Sequence, residues 1–221
     1  MEHKITIKNI EPLTHDVKRY RCEKPENYAY VPGQATEVAI HKPGLEQEKR
    51  PFTFTSLNED PYLEFTIKSY RDHDGVTHEL DRLQPGDELI IDDPWGAISY
   101  KGAGYFIAGG AGITPFLAIF RQLAKENRLA GNTLFFSNKT EADIILREEL
   151  TSLLGDQAVF TITDEPTTRY HAGFINEQFL VDHVRDFSRH FYLCGPPAMM
   201  EALQTTLIKL RAAPETLVFE L

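Results

Sequence analysis

Over the first hundred residues the apolar positions recur with the period of a β-strand. Segments 4–10, 35–40 and 62–70 carry this pattern, most clearly where Leu63, Phe65 and Ile67 alternate with Glu64, Thr66 and Lys68. Turn signals punctuate the stretch densely: Pro32-Gly33, Pro43-Gly44, Pro85-Gly86-Asp87 and Pro94-Trp95-Gly96. Short strands at this spacing predict a small antiparallel barrel or sandwich. One helix is expected inside it, over 76–83.

After Gly102 the rhythm changes to strand–helix alternation. Strands are predicted over 105–108, 133–136, 159–163, 191–193 and 216–220, and helices over 114–125, 141–154, 176–184 and 197–210. Alternation of this kind predicts a parallel sheet with helices on both faces. The fold class is therefore two domains: an N-terminal antiparallel β-barrel over 1–100 and a C-terminal α/β domain over 101–221. Lys101-Gly102-Ala103-Gly104 reads as a short flexible joint. No internal repeat or low-complexity tract interrupts the plan.

A chain of 221 residues is long enough for such a plan. Its net charge of −10 argues against nucleic acid or an anionic membrane as the main partner. Two cysteines, Cys22 and Cys194, cannot ligate a [2Fe–2S] cluster or a four-cysteine zinc site, so no metal site is expected. No apolar run reaches transmembrane length, and Glu2-His3-Lys4 does not open a signal peptide. The expected location is the cytoplasm.

Four short segments carry candidate chemistry. Tyr105 to Pro115 runs strand, glycine turn, helix, the context that a dinucleotide phosphate site requires. Gly110 and Gly112 permit a tight turn there, and a helix starting near Thr114 aims its N–H groups at a pyrophosphate. Pro115 stands at the third glycine position of the usual fingerprint and suits a first helical turn. Cys194-Gly195-Pro196-Pro197 delivers a thiol at a strand end, with a buried structural cysteine as the alternative. Arg50-Pro51-Phe52-Thr53 by itself also suits an edge strand opened by proline. Gly75-Val76-Thr77 opens the predicted barrel helix and can seat a phosphate, or be a turn with an ordinary cap. The neighbouring His73 and His78 are expected to be exposed.

In this order the segments resemble the ferredoxin–NAD(P) reductase superfamily, whose members bind a flavin in the barrel and a nicotinamide dinucleotide in the α/β domain. The resemblance covers nearly the whole chain. It implies FAD held by Arg50, Pro51, Phe52 and Thr53, by Ile67 and Lys68, and by Gly75, Val76 and Thr77. It implies a nicotinamide nucleotide at Gly110, Gly112, Thr114, Pro115, Cys194, Gly195 and Pro196. Cys194 would face the nicotinamide and Thr53 the reactive edge of the flavin. Phe219 or Glu220 would border the flavin from the C-terminal strand, the first as a ring cover, the second in proton supply. A plain edge strand fits those two residues equally.

The resemblance also bears on the choice of cofactor and acceptor. Thr163-Asp164-Glu165 looks like the NADH-linked cytochrome b5 reductase branch, as do Asn138-Lys139-Thr140-Glu141 and Gly173-Phe174-Ile175-Asn176. Asp164 can accept from a ribose 2′-hydroxyl and would repel a 2′-phosphate, so NADH is expected; Lys139 is the residue that would favour NADPH. Electrons would leave to a separate redox partner such as ferredoxin or flavodoxin. The alternatives are a flavin- or dinucleotide-binding electron-transfer or regulatory subunit of a larger complex, and a free-flavin reductase.

Overall fold

The computed structural model describes residues 1–70 and 75–219. Its N-terminal half is a six-stranded antiparallel sheet built from β1 (His3–Pro12), β2 (Val17–Glu23), β3 (Ala35–Ile40), β4 (Arg50–Thr53), β5 (Tyr62–Lys68) and β6 (Glu88–Ile91), with α1 (Val76–Asp81) between the last two strands. The order is β4-β3-β6-β1-β2-β5. A bridge between Phe54 and Phe65 brings the two end strands together and nearly closes the barrel. Ile5, Ile7, Tyr20, Cys22, Val38, Phe54, Leu63, Phe65 and Ile67 fill it. The polar members of the β5 alternation are also covered. Glu64 is 1% and Thr66 4% exposed, because the second half of the molecule lies over that face.

The second half is a parallel sheet of β7 (Gly104–Gly109), β8 (Thr133–Asn138), β9 (Ala158–Ile162), β10 (His171–Ala172), β11 (His190–Cys194) and β12 (Leu217–Val218), in the order β10-β9-β8-β7-β11-β12. Four helices connect the strands: α2 (Thr114–Lys125), α3 (Arg147–Leu154), α4 (Glu177–His183) and α5 (Pro197–Lys209). Strand alternation sorts the core into two layers. Phe106, Ala108, Phe136 and Tyr192 pack beneath Phe116, Phe120 and Leu150 of α2 and α3. Tyr105, Ile107, Phe135 and Phe191 pack beneath Phe179, Leu180, Leu203 and Leu207 of α4 and α5. Burying side chains of this size stabilises the fold by about 1.5–3 kcal/mol each.

The departures from the predicted elements have local causes. β2 carries Arg19 and Arg21 on one face while Tyr20 and Cys22 point into the barrel and Lys18 pairs with Asp81 of α1, a pattern too charged to stand out as a strand. The predicted 141–154 helix divides at Leu146, whose φ of 51° lies in the left-handed region. A 3-10 turn over Glu141–Asp143, closed by a Thr140–Asp143 capping box, precedes it. The barrel helix stops at Asp81, and the C-terminal strand shrinks to two residues because Pro214 opens a 3-10 turn over Pro214–Thr216. The joint near Gly102 is tied rather than loose. The Tyr192 hydroxyl accepts from Lys101 N at 2.8 Å and Gly102 N at 3.0 Å, and donates to Gly102 O at 2.7 Å.

Candidate functional site

In a parallel sheet of this order the connections reverse direction between β7 and β11, and the crevice outside their carboxyl ends is where ligands bind. Two of the sequence motifs meet there. β7 and β11 pair with Ala108 opposite Cys194, so Gly109 and Gly195 follow side by side. A Cβ at Gly112 would fall 2.2 Å from the carbonyl oxygen of Cys194, and one at Gly109 would fall 2.5 Å from Met199 Sδ. Only glycine lets the two turns pack this closely. Gly110 has a different reason: its φ of 52° is left-handed, and nothing lies within 4 Å of the space a Cβ would take. The turn Gly110–Ile113 leads into α2, with Pro115 in the first helical turn and the Thr114 hydroxyl donating to Ala111 O at 3.0 Å. Pro196 is the N-cap of α5. The glycine turn therefore stays open at Gly110 and is closed against the Cys194 turn at Gly112. That shape suits a planar ring and a diphosphate lying across the strand ends.

Further along the same edge, Thr163 N donates to Asn138 O at 3.0 Å and Asp164 N donates to Lys139 O at 2.9 Å, fastening the end of β9 to that of β8. Asp164 is exposed, with Thr163 Oγ1 donating to it at 2.6 Å. Lys139 is exposed and has no ion-pair partner among the described residues. The two nearby arginines are occupied: Arg147 and Arg169 both contact Glu141. Asn138 Oδ1 and Thr161 Oγ1 are buried without a partner among the described residues. Asn138 enters the sequence reading only within the stretch Asn138-Lys139-Thr140-Glu141, and its buried polar atom at the end of β8 singles it out here. A dinucleotide fits this edge, which offers an open turn, unpaired polar atoms and an exposed carboxylate.

On the barrel side, Arg50 opens β4 and is 52% exposed; Nη1 donates to Lys49 O and the nearest carboxylate, Glu48, is 3.7 Å away. Pro51 is exposed on this strand, where its missing N–H costs the ladder little. Phe52 packs partly on the barrel core, and Thr53 pairs with Ala35, which in turn bridges to Trp95. The Thr53 and Thr77 hydroxyls have no hydrogen-bond partner among the described residues. A guanidinium held only by neighbours in its own chain segment, a half-buried aromatic ring and two hydroxyls without a partner among the described residues fit a flavin and its phosphates.

The structure narrows several sequence expectations here and corrects one, the exposure of His78. The Ile67 side chain is fully buried inside the barrel, because strand alternation turns it inward, and Val76 is buried beside it in the same core. Only their backbones are available to a ligand. The Lys68 ammonium is held by Asp16 at 2.8 Å. His78 is half-buried, with Nδ1 out of solvent and unpartnered among the described residues, not exposed. His73 and Glu220 lie outside the described residues. Phe219 is half-buried against the α4–α5 core layer, just past β12, whose Val218 pairs with Tyr192. That places it at the same sheet edge as Cys194. Two grooves among the described residues, of about 480 and 750 Å³, are lined by none of these residues. The first lies at Tyr105 and Thr133, the amino ends of β7 and β8, and the second runs along β9.

The comparisons with known proteins agree with this geometry. Residues 4–100 match the family described as oxidoreductase FAD-binding domain, and residues 106–205 match oxidoreductase NAD-binding domain. The NADH-cytochrome b5 reductase 1 of Aspergillus terreus is 30% identical, over 90% of this chain and 74% of its own length. The chain belongs to the ferredoxin–NADP reductase and cytochrome b5 reductase family. It carries the FAD-binding and NAD-binding oxidoreductase domains of that family. It is also 26% identical to the ferredoxin–NAD(P)(+) reductase component of the Pseudomonas putida naphthalene 1,2-dioxygenase system, over 95% of this chain and 66% of that one. Among solved structures, a ferredoxin NADP+ reductase from Neisseria gonorrhoeae shares the fold at a TM-score of 0.87 and 19% identity, covering 99% of this chain and 98% of that one. The chain spans about two thirds of the length of the curated relatives it matches. No helix among the described residues is long and apolar enough to cross a membrane.

Proposed function

We propose that this chain moves electrons from NADH through bound FAD to a separate redox partner, with residues 1–100 as the flavin unit and 101–221 as the nicotinamide unit. The carrying observation is the contact of Gly112 with Cys194, which joins the phosphate turn to the strand end that would face the nicotinamide. When bound, FAD takes a hydride from the reduced nicotinamide and passes the electrons on. The chain's own residues supply placement. Arg50 and the amide groups of Gly75-Val76-Thr77 hold the flavin phosphates, Phe52 packs on the ring system, and Thr53 donates to its reactive edge. The Gly110–Ile113 turn and the start of α2 hold the dinucleotide phosphates. Cys194, Gly195 and Pro196 shape the nicotinamide seat.

NADH is the favoured donor, because Asp164 and Glu165 are exposed beyond the end of β9 and their charges would repel a 2′-phosphate bound beside them. The test is kcat/KM for flavin reduction with both nucleotides. A preference for NADPH would overturn this choice and turn attention to Lys139.

For the acceptor, a ferredoxin or flavodoxin is one candidate. The similarity to a dioxygenase reductase component favours a second reading, in which the chain is the reductase part of a multicomponent oxygenase. A reconstituted FAD-loaded chain, reduced with NADH without air, should be reoxidised by a one-electron protein acceptor faster than by free flavin. If free flavin is the faster oxidant, the protein-acceptor reading fails and the chain is a flavin reductase.

A further inference from the structure

One guanidinium joins the two halves of the molecule. Arg121 lies about two turns into α2, on the same face as Thr114 at the helix start. Its Nη1 donates to the Thr55 carbonyl at 2.5 Å and to Glu64 Oε1 at 2.7 Å, both in the barrel. Its Nε and Nη2 donate to the two oxygens of Glu149 on α3, at 2.6 and 2.9 Å. Glu64 also receives Arg21 Nε at 3.0 Å and Thr55 Oγ1 at 3.0 Å. Burial raises the Glu64 carboxyl, but the Arg121 charge and the bonds from Arg121, Arg21 and Thr55 outweigh it and hold the group below its ordinary value. Glu64 is therefore ionised and fully engaged.

The elements that Arg121 connects are those that carry the motifs. Thr55 lies two residues beyond Thr53, on the chain segment that continues β4. β5 leads to the Gly75 turn, and α2 begins at the glycine turn. The Gly110–Ile113 turn itself approaches β5. The halves also approach at Gly33, where a Cβ would stand 3.4 Å from Ile119 Cδ1 of α2, an apolar contact that sets no orientation of its own. A planar fork that reaches three partners at once fixes both distance and orientation, which a lysine ammonium on a flexible stem cannot do.

We propose that Arg121 is a positioning residue for hydride transfer: through Thr55 and Glu64 it sets the height of α2, and so of the glycine turn, against the strand that carries Thr53. This rests on the function proposed above. The reacting atoms must approach within about 3–3.5 Å, and a misplacement near 1 Å slows such a step on the order of 100-fold.

The test compares the FAD-loaded parent with Arg121→Met, Arg121→Lys and Glu64→Gln. Stopped-flow flavin reduction at saturating NADH should fall about 10- to 100-fold in Arg121→Met, with partial recovery in Arg121→Lys. FAD and NAD+ dissociation constants, measured by titration, should change little. In the cofactor-free chains, amide hydrogen exchange at Gly112 and Thr55 should be faster in Arg121→Met and Glu64→Gln than in the parent. An unchanged saturating rate in a folded Arg121→Met overturns the proposal, even if the melting temperature falls. Should that variant not fold, Glu64→Gln decides by the same measurements, an unchanged rate again overturning it. A parent that NADH fails to reduce would instead overturn the underlying function, and that outcome is read from the parent alone.

Discussion

Gly112 lies so close to Cys194 that a methyl group on its Cα would stand 2.2 Å from the Cys194 carbonyl oxygen and 2.8 Å from the Gly195 nitrogen. Both obstacles are backbone, so no rotamer change relieves them. Gly112→Ala is expected to push the glycine turn away from the Cys194 turn and to cost about 1–3 kcal/mol of stability. Flavin reduction by NADH should slow while FAD content is kept, because Arg50, Phe52 and Thr53 lie on β4, away from the substituted turn. Urea unfolding and anaerobic stopped-flow measure the two effects separately.

Arg50 is the charged group on β4 with no strong tertiary contact; its nearest carboxylate, Glu48, is 3.7 Å away. Replacing it by alanine should leave the fold intact and weaken FAD about 10- to 100-fold, the loss of one charge-assisted bond of roughly 1.5–3 kcal/mol. Fluorescence titration of FAD into the stripped chain gives the number. Retention as tight as in the parent would remove Arg50 from the flavin site.

These two positions were legible in the sequence because each lies within a local motif. The glycine turn and α2 follow one another directly, and the 114–125 helix was predicted with the bounds it has. The Glu64–Arg121 contact was not legible. The two residues are 57 positions apart, and on β5 Glu64 reads as the polar half of an ordinary alternation. What buries it is the other half of the molecule, and nothing in the local pattern announces that cover. β2 does not stand out for a related reason: its Arg19 and Arg21 are answered by Glu11 on the adjoining strand and by Glu64 on β5, which the local pattern of β2 does not show. The inward side chains of Ile67 and Val76 show a limit of motif transfer, since a matched motif names a segment and not the atoms that face a ligand.

The two cysteines should differ in reactivity. Cys22 is buried in the barrel, and burial pushes its thiol up to about 12; Cys194 is half-buried at the sheet edge. Alkylation at neutral pH should label Cys194 alone, and more slowly when NAD+ is present, while Cys22 reacts only after unfolding. Cys194→Ala is expected to slow flavin reduction partially without changing FAD content. Peptide mapping by mass spectrometry, with and without NAD+, checks the labelling. Equal labelling in both conditions would place Cys194 outside the nicotinamide seat.

Acid should expose the Glu64 network. Its folded carboxyl lies below the ordinary value of 4.5, so the unfolded chain binds more protons in acid than the folded one. The stabilisation from this group is complete above pH about 4.5 and is lost as the pH falls through the lowered folded value. Glu64→Gln should flatten the fall of stability in that window. At pH 7 it should cost about 3–5 kcal/mol, because it leaves Arg121 and Arg21 without their shared carboxylate. Urea midpoints between pH 7 and pH 3 give both quantities. A parallel pH slope in parent and variant would mean that Glu64 is not the group responsible.

The central claim is that the glycine turn, the Cys194 turn and the Thr53 strand form one site where a nicotinamide delivers hydride to a flavin. The most direct measurement is single-turnover reduction of the FAD-loaded chain by NADH without air, followed by the loss of flavin absorbance. Prompt bleaching is expected, slower with NADH deuterated at the transferring C4 position and slower again in Gly112→Ala. A chain that binds both FAD and NADH, yet keeps its flavin oxidised, would contradict the account.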